Sequence, residues 1–140
     1  MLDRLFGRRS VALLVDGPNL LRDEFDVRLE DLKEAAEDAG RLSSATVYLD
    51  HHAPEALIEA VETNGMTPVV TSGDVDVRMA VDAVERAREG HDVVLATRDA
   101  DFKPAVDAVH RAGRRVTVLG ASTGMSAALE NGADDVVLVD

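Results

Sequence analysis

Short apolar runs rich in valine and leucine alternate along this chain with longer segments whose apolar residues recur every three or four positions. The runs predict strands near 11–15, 45–49, 67–70, 92–96, 115–119 and 135–139. The segments between them predict helices near 29–38, 54–64, 75–89, 102–112 and 123–130. Local punctuation supports these boundaries. Pro54 suits a first helical turn, and Gly40, Gly65, Gly90, Gly113 and Gly132 each fall just past a predicted helix, where a left-handed residue commonly ends it. Strands alternating with helices imply a parallel sheet with right-handed crossovers, an α/β fold. Five or six βα units fill residues 10–140 as one domain, and residues 1–9 read as a tail leading into the first strand.

Aspartates stand where those runs end. Asp16 closes the first run, Asp99 and Asp101 follow the fourth, and Asp74, Asp76 and Asp82 surround the start of the third long helix. In an open parallel sheet the C-terminal strand ends meet along one edge, and ligands bind in the crevice there. Carboxylates gathered at one edge repel each other unless a cation lies among them. Oxygen-only ligand sets suit hard divalent ions such as Mg²⁺ or Mn²⁺. The pattern points to a metal-dependent phosphodiesterase site.

Each segment also has a plainer reading. Asp16-Gly17-Pro18-Asn19 consists of turn formers; in a site, Asn19 would orient Asp16 or meet a substrate phosphate. In Thr97-Arg98-Asp99-Ala100-Asp101, either both aspartates face the crevice or Asp101 caps the next helix. Thr97 is placed to hydrogen-bond a carboxylate or a metal-bound water. One of Asp74 and Asp76 caps the third helix, leaving the other for the site. Asp82 lies about 600° of helical rotation beyond Asp76, so the two do not share a face. Arg78 and Arg98 are candidate phosphate contacts, with exposed ion pairing as the alternative for Arg78. Ser122, in the turn Gly120–124, would place a hydroxyl near a phosphate at a helix start, or belong to an ordinary βα turn. His51-His52 reads as a loop edge.

Composition narrows the classes. There is no cysteine, so disulfides, thiol nucleophiles and thiolate zinc sites are excluded. No apolar stretch approaches the roughly 18 residues that span a membrane, and the N-terminus has no apolar signal core, so a cytoplasmic protein is expected. The net charge of −12 argues by itself against nucleic acid, whose binding usually draws on lysine and arginine. A salt-adapted protein is the other reading, with phosphate contacts left to metal ions and a few local arginines. Only Lys33 and Lys103 among the 15 basic residues are lysines, a profile typical of a high-salt cytoplasm. Neither a G-K-[ST] loop nor a G-x-G-x-x-G fingerprint is present. A haloacid-dehalogenase site wants D-x-D-x-T where this chain reads D-G-P-N, and a receiver domain wants a lysine where Gly120 stands.

Three segments in order, VALLVDGPNLL, SGDVDVRMAVDA and LATRDADF, with the closing VTVLGASTGMSAALENGADDVVLVD, resemble the NYN domain family of LabA-like, PIN-like ribonucleases from Ser10 onward. The resemblance implies a PIN-like Rossmannoid three-layer α/β/α fold with a parallel sheet of order 3-2-1-4-5 and room for a short sixth strand. It implies Mg²⁺- or Mn²⁺-dependent cleavage of single-stranded RNA, and pairing into homodimers is common among such domains. By position, Asp16, Asp76, Asp99 and Asp101 match the family's acidic metal-binding set, with Asn19 beside it. Members of such families also serve as non-catalytic modules that bind RNA or a protein, which stands as the alternative.

Overall fold

The computed structural model describes residues 8–22 and 26–140, so most of the expected tail, residues 1–7, lies outside the described residues. Strand β1 (Ser10–Asp16) runs into a single helical turn, α1 (Gly17–Leu20), and the chain continues through α2 (Leu29–Ala39). Next come β2 (Arg41–Asp50), α3 (Glu55–Thr63), β3 (Thr67–Thr71), α4 (Val75–Arg88) and β4 (Asp92–Ala96). A 3-10 turn (Ala100–Phe102) leads into α5 (Lys103–Arg111), followed by β5 (Val116–Gly120), α6 (Ala127–Gly132) and β6 (Asp135–Leu138). The strand pairs are parallel, and among the described residues the sheet has the order β3-β2-β1-β4-β5-β6. The expected 3-2-1-4-5 order therefore holds, with the sixth strand added beyond β5.

Alternation along the strands builds two cores. Ala12 and Leu14 of β1 join Val75, Met79 and Ala83 of α4 and Val106 and Val109 of α5 on one face of the sheet. Val11, Leu13 and Val15 join Leu29, Leu32 and Ala36 of α2 and Val61 of α3 on the other. The central strands β1 and β4 are covered on both sides, which is why they read as continuous apolar runs rather than alternating ones. With two-residue periodicity, Asp16 follows Leu14 onto the α4 side. The strand order reverses between β1 and β4, and their C-terminal ends open the crevice where such sheets bind ligands.

Several boundaries differ from those read in the sequence. Strand β2 begins at Arg41 rather than near 45, because its polar first half is only partly covered and carries no apolar signal. The DGPN turn is a helical turn with Pro18 in its first positions. Helix α6 begins at Ala127, where Ser126 Oγ accepts the Leu129 N–H at 3.2 Å, after Gly124 has turned the chain at φ 79°. Gly65, Gly90 and Gly113 are left-handed as expected, but Gly40 is extended and Gly132 lies within the last turn of α6. Gly40 is required for closeness instead: a Cβ there would stand 2.6 Å from the Arg9 carbonyl oxygen. Among the described residues, no helix is long and apolar enough to cross a membrane.

Candidate metal centre

Asp16 ends β1 and is only 6% exposed. The hydroxyl of Thr97, itself fully buried just after β4, donates to Asp16 Oδ2 at 3.0 Å. The Asn19 backbone N–H also donates to this carboxylate. Burial is the largest influence and pushes the Asp16 carboxyl up from 3.8 to about 6. The two hydrogen bonds pull it down, and the charges of Asp76 and Asp99 push it up again. Thr97 Oγ1 also accepts the Asp99 N–H at 3.2 Å, so one hydroxyl braces both the end of β1 and the turn after β4. Asp99 Oδ1 in turn accepts the Asp101 N–H at 2.9 Å, which starts the 3-10 turn and brings Asp101 round beside it.

Asp76 enters from the first turn of α4. Carboxylate oxygens of Asp76, Asp99 and Asp101 lie within 4.8 Å of one another, and Asp16 stands outside this close trio. Asp16, Asp76 and Asp99 share the wall of a cleft of about 350 Å³ with Asn19, Arg22, Asp50 and Asp74. Carboxylates this close are mutually repulsive, and a divalent cation relieves that repulsion while taking oxygen ligands alone. The donor set contains no sulfur or imidazole, so it fits a hard ion.

Residues 10–140 match the family profile of the NYN domain. The chain belongs to the NYN domain family. An uncharacterized protein of Methanocaldococcus jannaschii is 43% identical to this NYN domain over 135 residues, covering 95% of the chain and 56% of that protein. The chain thus spans little more than half the length of that relative. A crystal structure of a protein of unknown function from Vibrio parahaemolyticus has the same fold, with a TM-score of 0.82 at 24% identity over 95% of this chain and 94% of that one.

Within the NYN frame, the structure gives each candidate residue its partners. Thr97, expected to hydrogen-bond a carboxylate or a metal-bound water, is buried and donates to the Asp16 carboxylate. Asn19 Oδ1 accepts the Arg98 N–H at 2.9 Å, tying the turn after β1 to the turn after β4. Arg98 is used in the same seam: its guanidinium donates to the carbonyls of Asn19 at 3.3 Å and Thr123 at 3.2 Å. Arg78 stands about 200° round α4 from Asp76 and pairs with Asp82 at 3.2 Å, where the Tyr48 hydroxyl donates to the same carboxylate at 2.7 Å. Arg78 and Asp82 therefore belong to a different surface. Burial and Asp82 together hold the Tyr48 phenol above its usual range. Ser122 donates its hydroxyl to Asp140 at 2.6 Å and its N–H to the same carboxylate, away from the trio.

Asp74 occupies the N-cap position of α4 but makes no side-chain cap bond, and both it and Asp76 border the cleft. Asp101 does not cap the following helix; Asp99 caps the 3-10 turn. The residue missed by sequence reading is Asp50, which ends β2 as Asp16 ends β1 and borders the same cleft. The signal was the same strand-end aspartate, hidden beside the two histidines. Those histidines are exposed on a loop, their ring centroids 3.9 Å apart and their planes tilted by 41°.

Proposed function

We propose that this NYN domain cleaves phosphodiester bonds of single-stranded RNA with the help of Mg²⁺ or Mn²⁺. The observation that carries the reading is the convergence of Asp76, Asp99 and Asp101, with buried Asp16 behind them, at the switch point of the sheet. Asp76, Asp99 and Asp101 would hold the ion, and Asp16 would complete its surroundings. When bound, the ion supplies positive charge to a phosphoryl oxygen and makes a nearby water more acidic. The chain's own part is placement. Thr97 keeps the Asp16 carboxylate in one orientation, and the Asn19–Arg98 seam keeps the two strand-end turns at a fixed separation. Arg22, on the cleft wall, offers positive charge to an RNA backbone in an otherwise acidic setting. Acting on RNA in this way, the protein would work in the cytoplasm.

The net charge of −12 favours keeping a second reading, a regulatory module that binds RNA or a protein without cutting. The deciding experiment is cleavage of a labelled single-stranded RNA at high salt with Mn²⁺ or Mg²⁺, for wild type, Asp16→Asn and Asp99→Asn. Metal-dependent cutting is expected. Each substitution should reduce it by more than the roughly 10–100-fold typical of losing a supporting group, with the fold intact by circular dichroism. Wild-type protein that binds the RNA but never cuts it leaves the regulatory module as the function.

A further inference from the structure

The two faces of the sheet are covered unequally at its β6 edge. On one face, Val116 and Val118 of β5 are buried in the core that α5 and α6 complete. On the other, α2 packs on β1, β2, β4 and β5, and a groove is left between it and β6. Thr117 pairs with Asp135 and Leu119 with Val137, so these four side chains share that face. Leu119 is buried, whereas Val137 is 40% exposed. Two adjoining hollows of about 350 and 400 Å³ make up the groove, and both are lined by Ala35, Asp38 and Val137. An apolar floor left open beside the edge strand of a sheet is a surface that proteins normally cover.

One wall of the groove is acidic, and a segment of matching chemistry stands at its entrance. Asp31, Glu34 and Asp38 of α2 fall at the i, i+3, i+7 spacing of one helix face. Among the described residues, none of these three carboxylates has a hydrogen bond or ion pair. The chain enters β1 at the foot of this wall. Arg8 donates to the carbonyls of Glu37 at 2.8 Å and Asp38 at 2.6 Å, and Arg9 pairs with Asp92 at 3.6 Å. Asp38 and Asp92 line the groove, as does Val11, two residues along from Arg9. Residues 1–7 read MLDRLFG, in which Met1, Leu2, Leu5 and Phe6 are apolar and Arg4 is basic. We propose that residues 1–7 occupy the groove between α2 and β6, with Leu2, Leu5 and Phe6 over its floor and Arg4 toward the acidic wall. Gly7 lets the chain turn out of the line of β1. Seven extended residues reach about 23 Å, more than the roughly 14 Å that three strand spacings put between β1 and β6. Leu2 then reaches Val137, and Phe6 stays near the entrance. A segment joined to the chain at the mouth of the groove has a high effective concentration there, which a separate peptide lacks. Nothing in this placement depends on RNA or a metal.

The chain has no cysteine, so pairs of introduced thiols report proximity without background. In the full chain, Leu2→Cys with Val137→Cys should close an intramolecular disulfide under mild oxidation about tenfold faster or more than Leu2→Cys with Val70→Cys. Val70 serves as the control because it is 49% exposed on the far edge strand β3. At the lowest salt that preserves the fold, where charges are least screened, Glu34→Arg should slow the first pair and leave the second unchanged. Removing residues 1–7 should speed amide hydrogen exchange in β6 by about tenfold or more, with β3 unaffected. Three results overturn the proposal: equal closure of the two thiol pairs, a disulfide that forms only between two chains, or β6 exchange unchanged in a shortened chain that keeps the circular dichroism of the full one. Should the shortened chain fail to fold, the thiol pairs decide alone.

Discussion

Asp92 and Asp16 are both aspartates buried at the ends of central strands, and their surroundings treat them in opposite ways. Asp92, at the start of β4, accepts the Arg115 N–H at 3.1 Å and has the Arg9 guanidinium 3.6 Å away. Asp16, at the end of β1, has a hydroxyl, a backbone N–H and two like charges, and burial raises its carboxyl to about 6. A carboxyl that binds its proton more tightly folded than unfolded stabilises the fold fully below its unfolded pKa of 3.8, and that contribution is lost as pH rises through about 6. At ~1.4 kcal/mol per tenfold change in proton affinity, the metal-free domain forgoes about 3 kcal/mol at pH 7. An asparagine in place of this aspartate would still accept the Thr97 hydroxyl, without the buried charge. In the presence of a chelator, Asp16→Asn is therefore expected to be more stable than wild type at pH 7, by up to about 3 kcal/mol, and to lack the decline between pH 4 and 6. Urea midpoints across that pH range measure both. A variant less stable than wild type at pH 7 would mean that the ionised carboxylate organises the site even without a cation.

The turn α1 shows how a short element holds a site. Gly17 brings the chain so close to β2 that a Cβ would stand 2.5 Å from the Tyr48 carbonyl oxygen and 2.7 Å from a Leu49 methyl. The obstacle is backbone on one side and a buried side chain on the other, so neither yields easily. Gly17→Ala is expected to destabilise the domain by about 1–3 kcal/mol, the range for overfilling a packed core, and chemical denaturation measures it. A cost below that range would mean that β2 moves aside. Glycine after Asp16 was visible in the sequence as a turn former, but its packing role was not, because β2 is not its neighbour along the chain. The same limit explains the other misplacements. Strand-end aspartates were legible because a run of buried valines and leucines must stop where a carboxylate begins, and the strand order brought Asp76, Asp99 and Asp101 together. Arg98 and Ser122 follow strands in the same way, yet their partners are carbonyls and a carboxylate far along the chain. Spacing along the chain tells which edge a polar residue reaches, and only the fold tells whether another part of the chain already holds it.

Charge is unevenly distributed over the molecule. Asp16, Asp50, Asp74, Asp76, Asp99 and Asp101 lie where strands end or just beyond, while Arg9, Arg41, Arg114 and Arg115 lie where strands begin. The net charge of −12 makes the folded state self-repelling, most strongly at the acidic edge. Two remedies act over different ranges. Monovalent salt shortens the reach of every exposed charge, from about 10 Å at 0.1 M to about 3 Å at 1 M, and should stabilise the whole domain gradually. A divalent ion in the cleft acts at one place, saturates at low concentration and stabilises only while it binds the folded state. Thermal unfolding in rising KCl, then with Mg²⁺ or Mn²⁺ added at constant ionic strength, separates the two. Wild type is expected to gain from both. Asp99→Asn should keep the gain from KCl and lose the divalent increment, because it removes one of the three close carboxylates without changing the rest of the acidic surface. An equal divalent increment in both proteins would place the bound ions on the general surface, and the trio would then be an acidic edge that salt alone makes tolerable.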